Sequence, residues 1–297
     1  MSDHPRQVRV VDVFTEKALA GNQLAVVLDG RDMPSDLMQK IAREMNFSET
    51  TFILPPDDPS HAARVRIFTP ERELPFAGHP TIGTAWVLVN EGVVDSLDFV
   101  LEEGSGPVPV RGARENERVK FWMTHPTLKF GQVFPHARIA TALGIDESEM
   151  VPNVPAQVAS TGLPFIFVAL RSTSAVDAAS SDRAALSKLL RGKVQGVYAF
   201  AVNGPGRLYS RMLSPDSRED PATGSAAGPL GGFAVRYGLV ARAPEVSIIS
   251  EQGTKMGRQS FLHISLTYED GAEIPSRIEV GGSVMPVLAG TLSDFGR

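Results

Sequence analysis

The spacing of apolar positions predicts short strands interspersed with a few helices. Helical spacing predicts helices over residues 37–45, 81–90, 137–143 and 184–190, and Ser35 is the predicted N-cap of the first. Runs rich in apolar and β-branched residues predict strands near residues 8–14, 23–28, 51–54, 97–102, 119–123, 197–202, 261–268 and 277–280. The segment 158–170 repeats the pattern of the first hairpin, with a turn glycine followed by an apolar strand. This mixture is typical of an α+β protein.

One segment occurs twice. The run from Arg66 to Gly83 resembles the run from Arg211 to Gly228, and a one-residue gap after Glu73 aligns the arginines, two pairs of prolines, and the glycines at 78 and 224. Each copy reads as a strand, a turn with proline and acids, then a glycine that opens a helix of small residues. The repeat indicates an internal duplication. We therefore predict two pseudo-symmetric lobes, each a curved sheet around a central helix.

The order of elements also predicts where the lobes divide. The connection 125–131, which contains Pro126, is the predicted boundary. We assign 1–124 to an N-terminal lobe, completed by 277–297, and 132–276 to a C-terminal lobe.

Two glycine turns, Gly78-His79 and Gly224-Ser225, open the repeated helices. Glycine lets the backbone approach a ligand, and the start of a helix presents unpaired N–H groups and the positive end of a dipole. If the repeats face each other, the turns converge on one cleft and hold a carboxylate from both sides. The alternative is that the glycines only end loops and let helices pack against strands.

Composition narrows the possible functions. The chain has 297 residues, 42% of them hydrophobic, and a net charge of −5, which argues against nucleic acid or an anionic membrane as a partner. It has no cysteine, which excludes disulfides, thiolate metal sites and thiol nucleophiles. No apolar run is long enough to span a bilayer and no signal core precedes it, so we expect a cytoplasmic protein. The usual metal, phosphate-loop and nucleophile-elbow motifs are also missing, so we expect neither metal nor cofactor.

Three side chains remain as candidates for proton transfer. Glu49 follows the first helix between Phe47 and Phe52, which we expect to raise its pKa toward that of a general base; otherwise it caps an element. His79 starts a helix, where the dipole keeps an imidazole neutral. Asp220 precedes the second glycine turn and either acts chemically or caps that turn. Such a set suits proton abstraction and return beside an activating group.

Four runs resemble the PhzF-like phenazine biosynthesis family. They are AREMNFSETTFIL, RIFTPERELPFAGHPTIGTA, SRMLSPDSREDPATGSAAGPL and EQGTKMGR, and they occur in the expected order over most of the chain. The resemblance implies a diaminopimelate epimerase-like fold, an active site in the cleft between two lobes, and a homodimer.

The resemblance also implies roles for individual residues. Related racemases use a cysteine from each lobe, and the matching places here look like Ala77 and Ala226, which excludes two-thiol chemistry. In the phenazine enzyme, an isomerase of trans-2,3-dihydro-3-hydroxyanthranilate, the glutamate matching Glu49 takes a proton from ring C3 and allows its delivery to C1. The other site residues of the family match His79, Asp220, Ser225, Gly78 and Gly224. One departure is Pro221, which follows the aspartate.

The expected function is therefore a cofactor-free isomerase that moves a proton on a small cyclic amino or hydroxy carboxylate. Trans-2,3-dihydro-3-hydroxyanthranilate is the named candidate substrate. Two alternatives remain open: an isomerase or epimerase of another amino-acid-like acid, and a non-catalytic binding or scaffold protein.

Overall fold

The computed structural model describes residues 5–115, 118–180, 182–190, 194–215 and 219–293. The chain forms two compact units. Unit 1 comprises Met1–Thr124 and Gly281–Arg297, and unit 2 comprises His125–Val280. The last strand, β16 (Arg277–Thr291), contributes residues to both units.

Unit 1 is a closed ring of strands around a helix. Its elements are β1 (Gln7–Val13), β2 (Asn22–Val27), α1 (Ser35–Met45), β3 (Glu49–Leu54), β4 (Ala63–Phe68), β5 (Glu73–Leu74), α2 (Gly78–Asn90), β6 (Asp98–Glu103), β7 (Gly106–Glu115) and β8 (Arg118–Thr124). The ring runs β1, β2, β3, β4, β6, β7, β8 and β16, and β16 pairs again with β1. Eight strands enclose an interior that side chains just fill.

Helix α2 lies against the inner face of this ring and is buried over most of its length. Its close approach depends on Gly83, where a Cβ would lie 2.6 Å from Leu24 Cδ2 and 2.8 Å from Val13 Cγ2. The small residues of the repeat therefore let this helix approach β1 and β2 closely.

Helix α1 packs against the other face of the sheet, where Met38 and Ile41 meet Phe52 and Phe68. The helix ends at Met45 as predicted, but it begins at Ser35, so the prediction that Ser35 is the N-cap is wrong. Pro34 occupies the N-cap position, and the Ser35 hydroxyl accepts a hydrogen bond from Arg66.

Unit 2 also wraps strands around a buried helix. Its elements are β9 (Lys129–Phe134), α3 (His136–Leu143), β10 (Ala156–Ser160), β11 (Pro164–Ala169), α4 (Thr173–Ala178), α5 (Arg183–Leu190), β12 (Val197–Val202), β13 (Arg207–Leu213), α6 (Gly224–Arg236), β14 (Glu245–Gln252) and β15 (Ser260–Thr267). Helix α6 is the buried one, and Gly231 brings it close to Ile264 of β15.

The same sequence of strand pairings occurs in each unit. In unit 1 the successive pairs are β1–β2, β2–β3, β3–β4, β4–β6 and β6–β7. They alternate between antiparallel and parallel, beginning and ending with an antiparallel pair. In unit 2, β10 to β15 follow the same sequence. Each parallel pair needs a long crossover, and the crossovers carry α1 and α2 in unit 1 and α4 to α6 in unit 2.

Five strands, β5, β7, β9, β10 and β14, were not predicted from the sequence, and β16 extends beyond the predicted 277–280 to Thr291. Within 158–170 the predicted turn glycine is Gly162, at a φ of 132°, and the predicted apolar strand after it is β11, whereas β10 before the turn was not predicted. Helix α2 begins at Gly78, three residues before the predicted start, because Pro80 falls in the first turn, where no N–H is required.

Of the helices that the described residues form, none has the length and apolar character needed to cross a membrane.

Candidate active site

Glu49 is the first residue of β3, three residues beyond the left-handed C-cap of α1 at Asn46. Successive strand residues point to opposite faces, so Glu49 shares its face with Thr51, whose hydroxyl meets that of Thr84 on α2. Phe52 lies on the opposite face with α1. The expectation that Phe52 flanks the Glu49 carboxyl is therefore wrong, because the period of a strand is two.

His79 lies at the start of α2 and meets the Glu49 carboxylate. Its Nε2 is 3.3 Å from Glu49 Oε2, and the two side chains are 5% and 15% exposed. Two residues 30 positions apart are thus brought into contact within unit 1 by α2 and β3.

Asn22, the first residue of β2, fixes the other side of the imidazole. Its Nδ2 is 3.2 Å from His79 Nδ1, and the Asn22 side chain is buried. The 3.3 Å contact between His79 Nε2 and Glu49 Oε2 does not have the geometry of a hydrogen bond. In the tautomer in which Nδ1 accepts from Asn22, the single ring proton lies on Nε2, on the side of Glu49.

Burial lowers the pKa of His79 to about 3, although a hydrogen bond to the Gln23 backbone opposes this effect. The imidazole is therefore neutral at pH 7. In that state it can donate a hydrogen bond without adding charge beside the carboxylate of Glu49.

Gly78 is the first residue of α2, and the N-cap residue Ala77 makes no side-chain capping hydrogen bond. The first turn contains no acidic residue. Nothing in that turn therefore offsets the positive end of the helix dipole, which favours an anion there.

In unit 2, Asp220 lies in the turn before α6. One carboxylate oxygen, Oδ2, accepts a hydrogen bond of 2.7 Å from the Thr223 hydroxyl. Asp220 also forms a backbone bridge with Met212 of β13. The aspartate is thus held at the N-terminal end of a buried helix.

Gly224 and Ser225 are the first two residues of α6. Gly224 is buried, Ser225 is partly exposed, and the N-cap Thr223 makes no side-chain capping hydrogen bond, since its hydroxyl serves Asp220. As in α2, the first turn has no acidic residue. The structure brings Asp220 together with Gly224 and Ser225 in unit 2, as it brings Glu49 together with His79 in unit 1.

A repeated ion pair corrects the alignment of the two copies. Arg66 binds Glu73 through two hydrogen bonds of 2.7 Å, and Arg211 binds Glu219 in the same way. The equivalent of Glu73 is thus Glu219, and the gap lies one position earlier than the sequence suggested. Residues 216–218 of the second copy, which the sequence alignment included, lie outside the described residues.

Sequence reasoning missed three residues that contact the candidates: Asn22, Thr223 and Gln252. Asn22 had been interpreted only as part of a turn, and Thr223 only as part of a family motif. Gln252 lies in the run EQG, and the glycine of this run was the local signal. In the structure that glycine, Gly253, adopts a positive φ of 76°.

The sequence profile of the phenazine biosynthesis-like protein family (PhzC-PhzF) matches residues 11–290, nearly the whole chain. The chain belongs to this family. A trans-2,3-dihydro-3-hydroxyanthranilate isomerase from Pseudomonas fluorescens is 38% identical over 95% of this chain and 98% of its own. An uncharacterized isomerase from Mesorhizobium japonicum is 38% identical over 97% and 98%.

A solved structure shares the fold of this PhzC-PhzF family member. The phenazine biosynthesis protein of the PhzF family from Bacillus anthracis superposes with a TM-score of 0.88 at 23% identity, and the match covers 98% of this chain and 100% of that one. Together with the named relatives, this shows that the protein is an isomerase with the PhzF fold.

Proposed function

We propose that this isomerase catalyses cofactor-independent proton transfer on a small cyclic amino or hydroxy carboxylate, with trans-2,3-dihydro-3-hydroxyanthranilate as the substrate. The observation that carries the proposal is the Glu49–His79–Asn22 arrangement: a carboxylate faces a buried neutral imidazole at 3.3 Å, and the amide of Asn22 fixes the ring from the other side.

In the proposed reaction, Glu49 removes the proton from ring C3 and a proton is returned at C1, so that the double bonds shift and the composition of the substrate is unchanged. A general base works best when it is ionised and within hydrogen-bond reach of the proton it takes. In this proposal the proton of neutral His79 lies on Nε2, from which it can be relayed to the Glu49 carboxylate. Asp220 and Ser225 hold the polar groups of the substrate.

The starts of α2 and α6 bind the substrate carboxylate in this proposal, through the backbone of Gly78 and Gly224. The uncapped N-termini and the lack of acidic residues in both first turns support it. It requires that the two units be pseudo-symmetric lobes of a diaminopimelate epimerase-like fold with both turns at one cleft. The repeated strand pairings support such a duplication. Assembly into a cytoplasmic homodimer belongs to the same proposal.

The test is turnover of trans-2,3-dihydro-3-hydroxyanthranilate by the wild type and by Glu49→Gln. Loss of a general base lowers kcat by about 100-fold to 10,000-fold. The matched control is Glu44→Gln, the same chemical change at an exposed position of α1, which we expect to keep full activity. Equal activity of the wild type and Glu49→Gln would contradict the assignment of the base.

A second candidate substrate is another amino-acid-like acid. The uncharacterized isomerase from Mesorhizobium japonicum and the hydroxyanthranilate isomerase from Pseudomonas fluorescens are equally similar to this chain, at 38% identity. Deuterium exchange from D₂O into a panel of amino and hydroxy acids separates the two candidates. Exchange into one of these acids, without turnover of the hydroxyanthranilate, would favour the second.

A further inference from the structure

A buried polar network lies behind the turn that carries Asp220. Tyr198 of β12, Ser210 of β13, and Ser250 and Gln252 of β14 are each 0% exposed. Their side chains are linked by hydrogen bonds of 2.7 to 3.1 Å. Burying four polar side chains is costly unless their hydrogen bonds are satisfied, so the network calls for a physical reason.

The Gln252 amide uses its full hydrogen-bonding capacity. Its Oε1 accepts from the Tyr198 hydroxyl at 2.7 Å and from the Thr223 N–H at 3.0 Å. Its Nε2 donates to the Asp220 carbonyl at 2.8 Å and to the Thr223 hydroxyl oxygen at 3.0 Å. The Thr223 N–H can only donate and the Asp220 carbonyl can only accept, so the orientation of the amide is fixed.

This orientation determines where the Thr223 hydroxyl proton lies. The hydroxyl oxygen accepts from Gln252 Nε2, and the single hydroxyl proton then goes to Asp220 Oδ2, 2.7 Å away. A hydrogen bond to the charged form of a carboxylate favours that form. Through Thr223, Gln252 therefore directs a donor at the Asp220 carboxylate.

The residue after Gln252 explains the rest of the EQG run. Gly253 has a φ of 76°, and a Cβ there would lie 2.6 Å from the Pro221 carbonyl oxygen and 2.3 Å from that of Arg258. Only glycine fits this conformation and space. The loop after β14 is thus packed directly against the turn that follows Asp220.

We propose that Gln252 is a positioning residue for Asp220, which acts by fixing the Thr223 hydroxyl as a donor to the carboxylate at the start of α6. This inference rests on the proposed function, because it gives Asp220 a part in the reaction.

Several titratable groups surround this turn among the described residues. Burial raises the pKa of Tyr198, and the charge of Asp220 adds to the effect. Arg211 is paired with Glu219, and Glu251 accepts hydrogen bonds from the loop that follows β14. The four variants below leave all of these groups in place, so a shift in the titration of Asp220 reports on the Thr223 donor.

The experiment measures the titration midpoint of the Asp220 carboxyl by ¹³C NMR, together with kcat, in four variants. Thr223→Val removes the donor, Gln252→Met keeps the Thr223 hydroxyl but removes the group that fixes its orientation, and Thr223→Ser keeps both. Ser250→Ala is the matched control. Ser250 is as buried as Gln252 and lies on the same strand, β14, but its hydroxyl is hydrogen-bonded to Ser210 instead of to the turn. Assignment uses a labelled Asp220→Asn sample.

We expect the midpoint to rise by about one pH unit in Thr223→Val, which corresponds to about a tenfold change in the ionisation equilibrium, and by less in Gln252→Met, where the hydroxyl is kept but is no longer fixed. Thr223→Ser and Ser250→Ala should keep the wild-type midpoint. We expect kcat to fall about tenfold in the first two variants, and no further in the double variant, because both act through one hydroxyl.

The two readouts separate the inference from the proposed function. Unchanged midpoints in Gln252→Met and Thr223→Val, with both variants folded, would overturn the inference while turnover by the wild type still stands. Shifted midpoints in a protein that turns over none of the tested acids would support the positioning of Asp220 and contradict the proposed reaction.

Discussion

Glu103 is a buried carboxyl at the end of β6 with no part in the proposed reaction. Its Oε1 lies 2.5 Å from the Thr81 hydroxyl oxygen, which also lies 2.7 Å from the Ala77 carbonyl oxygen. A hydroxyl has one proton, so when Thr81 donates to Ala77, Glu103 supplies the proton of the short contact. A protonated Glu103 thereby steadies the residue that precedes Gly78.

Burial raises the pKa of Glu103 to about 8, and the hydrogen bond with Thr81 opposes this effect. An unfolded glutamate titrates near 4.3. Between these values the folded protein holds a proton that the unfolded chain has released, so the free energy of unfolding falls as pH rises. The slope is at most about 1.4 kcal/mol per pH unit, which sums to on the order of 5 kcal/mol over the window.

Glu103→Gln removes this titration and keeps a donor for Thr81. We expect the variant and the wild type to be about equally stable at pH 5, and the variant to be more stable by several kcal/mol at pH 8.5. The assay is urea unfolding followed by tryptophan fluorescence from pH 5 to 8.5. Both tryptophans, Trp86 and Trp122, belong to unit 1, as Glu103 does.

The neighbouring glutamate is a control of opposite sign. Glu102 accepts hydrogen bonds from the backbone of Asp57 and Asp58 and from His61, which lower its pKa. The free energy of unfolding that Glu102→Gln loses relative to the wild type should therefore be greatest at neutral pH and become smaller as pH falls. Parallel stability curves for Glu103→Gln and the wild type would refute the reasoning about Glu103.

Three further predictions concern contacts within single units. Asn22→Ala should lower kcat about tenfold in steady-state assays with little change in KM, because it frees the ring of His79. Gly83→Ala should cost about 1–3 kcal/mol of unfolding free energy through overpacking; no loss in urea unfolding would contradict the close approach. Arg211→Met should lower the free energy of unfolding by about 3–5 kcal/mol, because its ion pair with Glu219 is buried. Arg66→Met, which breaks the more exposed pair with Glu73, should lower it by about 1 kcal/mol at most. Equal losses in urea unfolding would contradict the difference in burial.

Local patterns were enough to predict some elements. The apolar spacing over 37–45 predicted α1 with its observed C-terminal end, and the run 197–202 predicted β12 with its observed bounds. Strand β14 alternates buried and less buried residues over Glu245–Gln252, but its last two buried residues, Ser250 and Gln252, are polar, so the sequence does not show the alternation over the whole strand. Strand β7 was hidden because Pro107 and Pro109 interrupt it and its charged residues suggested a solvent-exposed surface.

The partners of the site residues depend on tertiary contacts that spacing does not encode. The duplication and the family motifs singled out Glu49, His79 and Asp220. Nothing local indicated that Asn22 would lie against the imidazole, since β2 and α2 are brought together only by folding. The burial of Glu103 also could not be predicted locally, because its sequence neighbours are polar.

The most direct test of the account is the position of deuterium in the product formed from trans-2,3-dihydro-3-hydroxyanthranilate in D₂O, read by NMR. The account predicts turnover with label at C1, and loss of both turnover and label in Glu49→Gln. Label or turnover that persists in folded Glu49→Gln would contradict Glu49 as the base. A folded wild type that shows neither turnover nor exchange would contradict the proposed substrate.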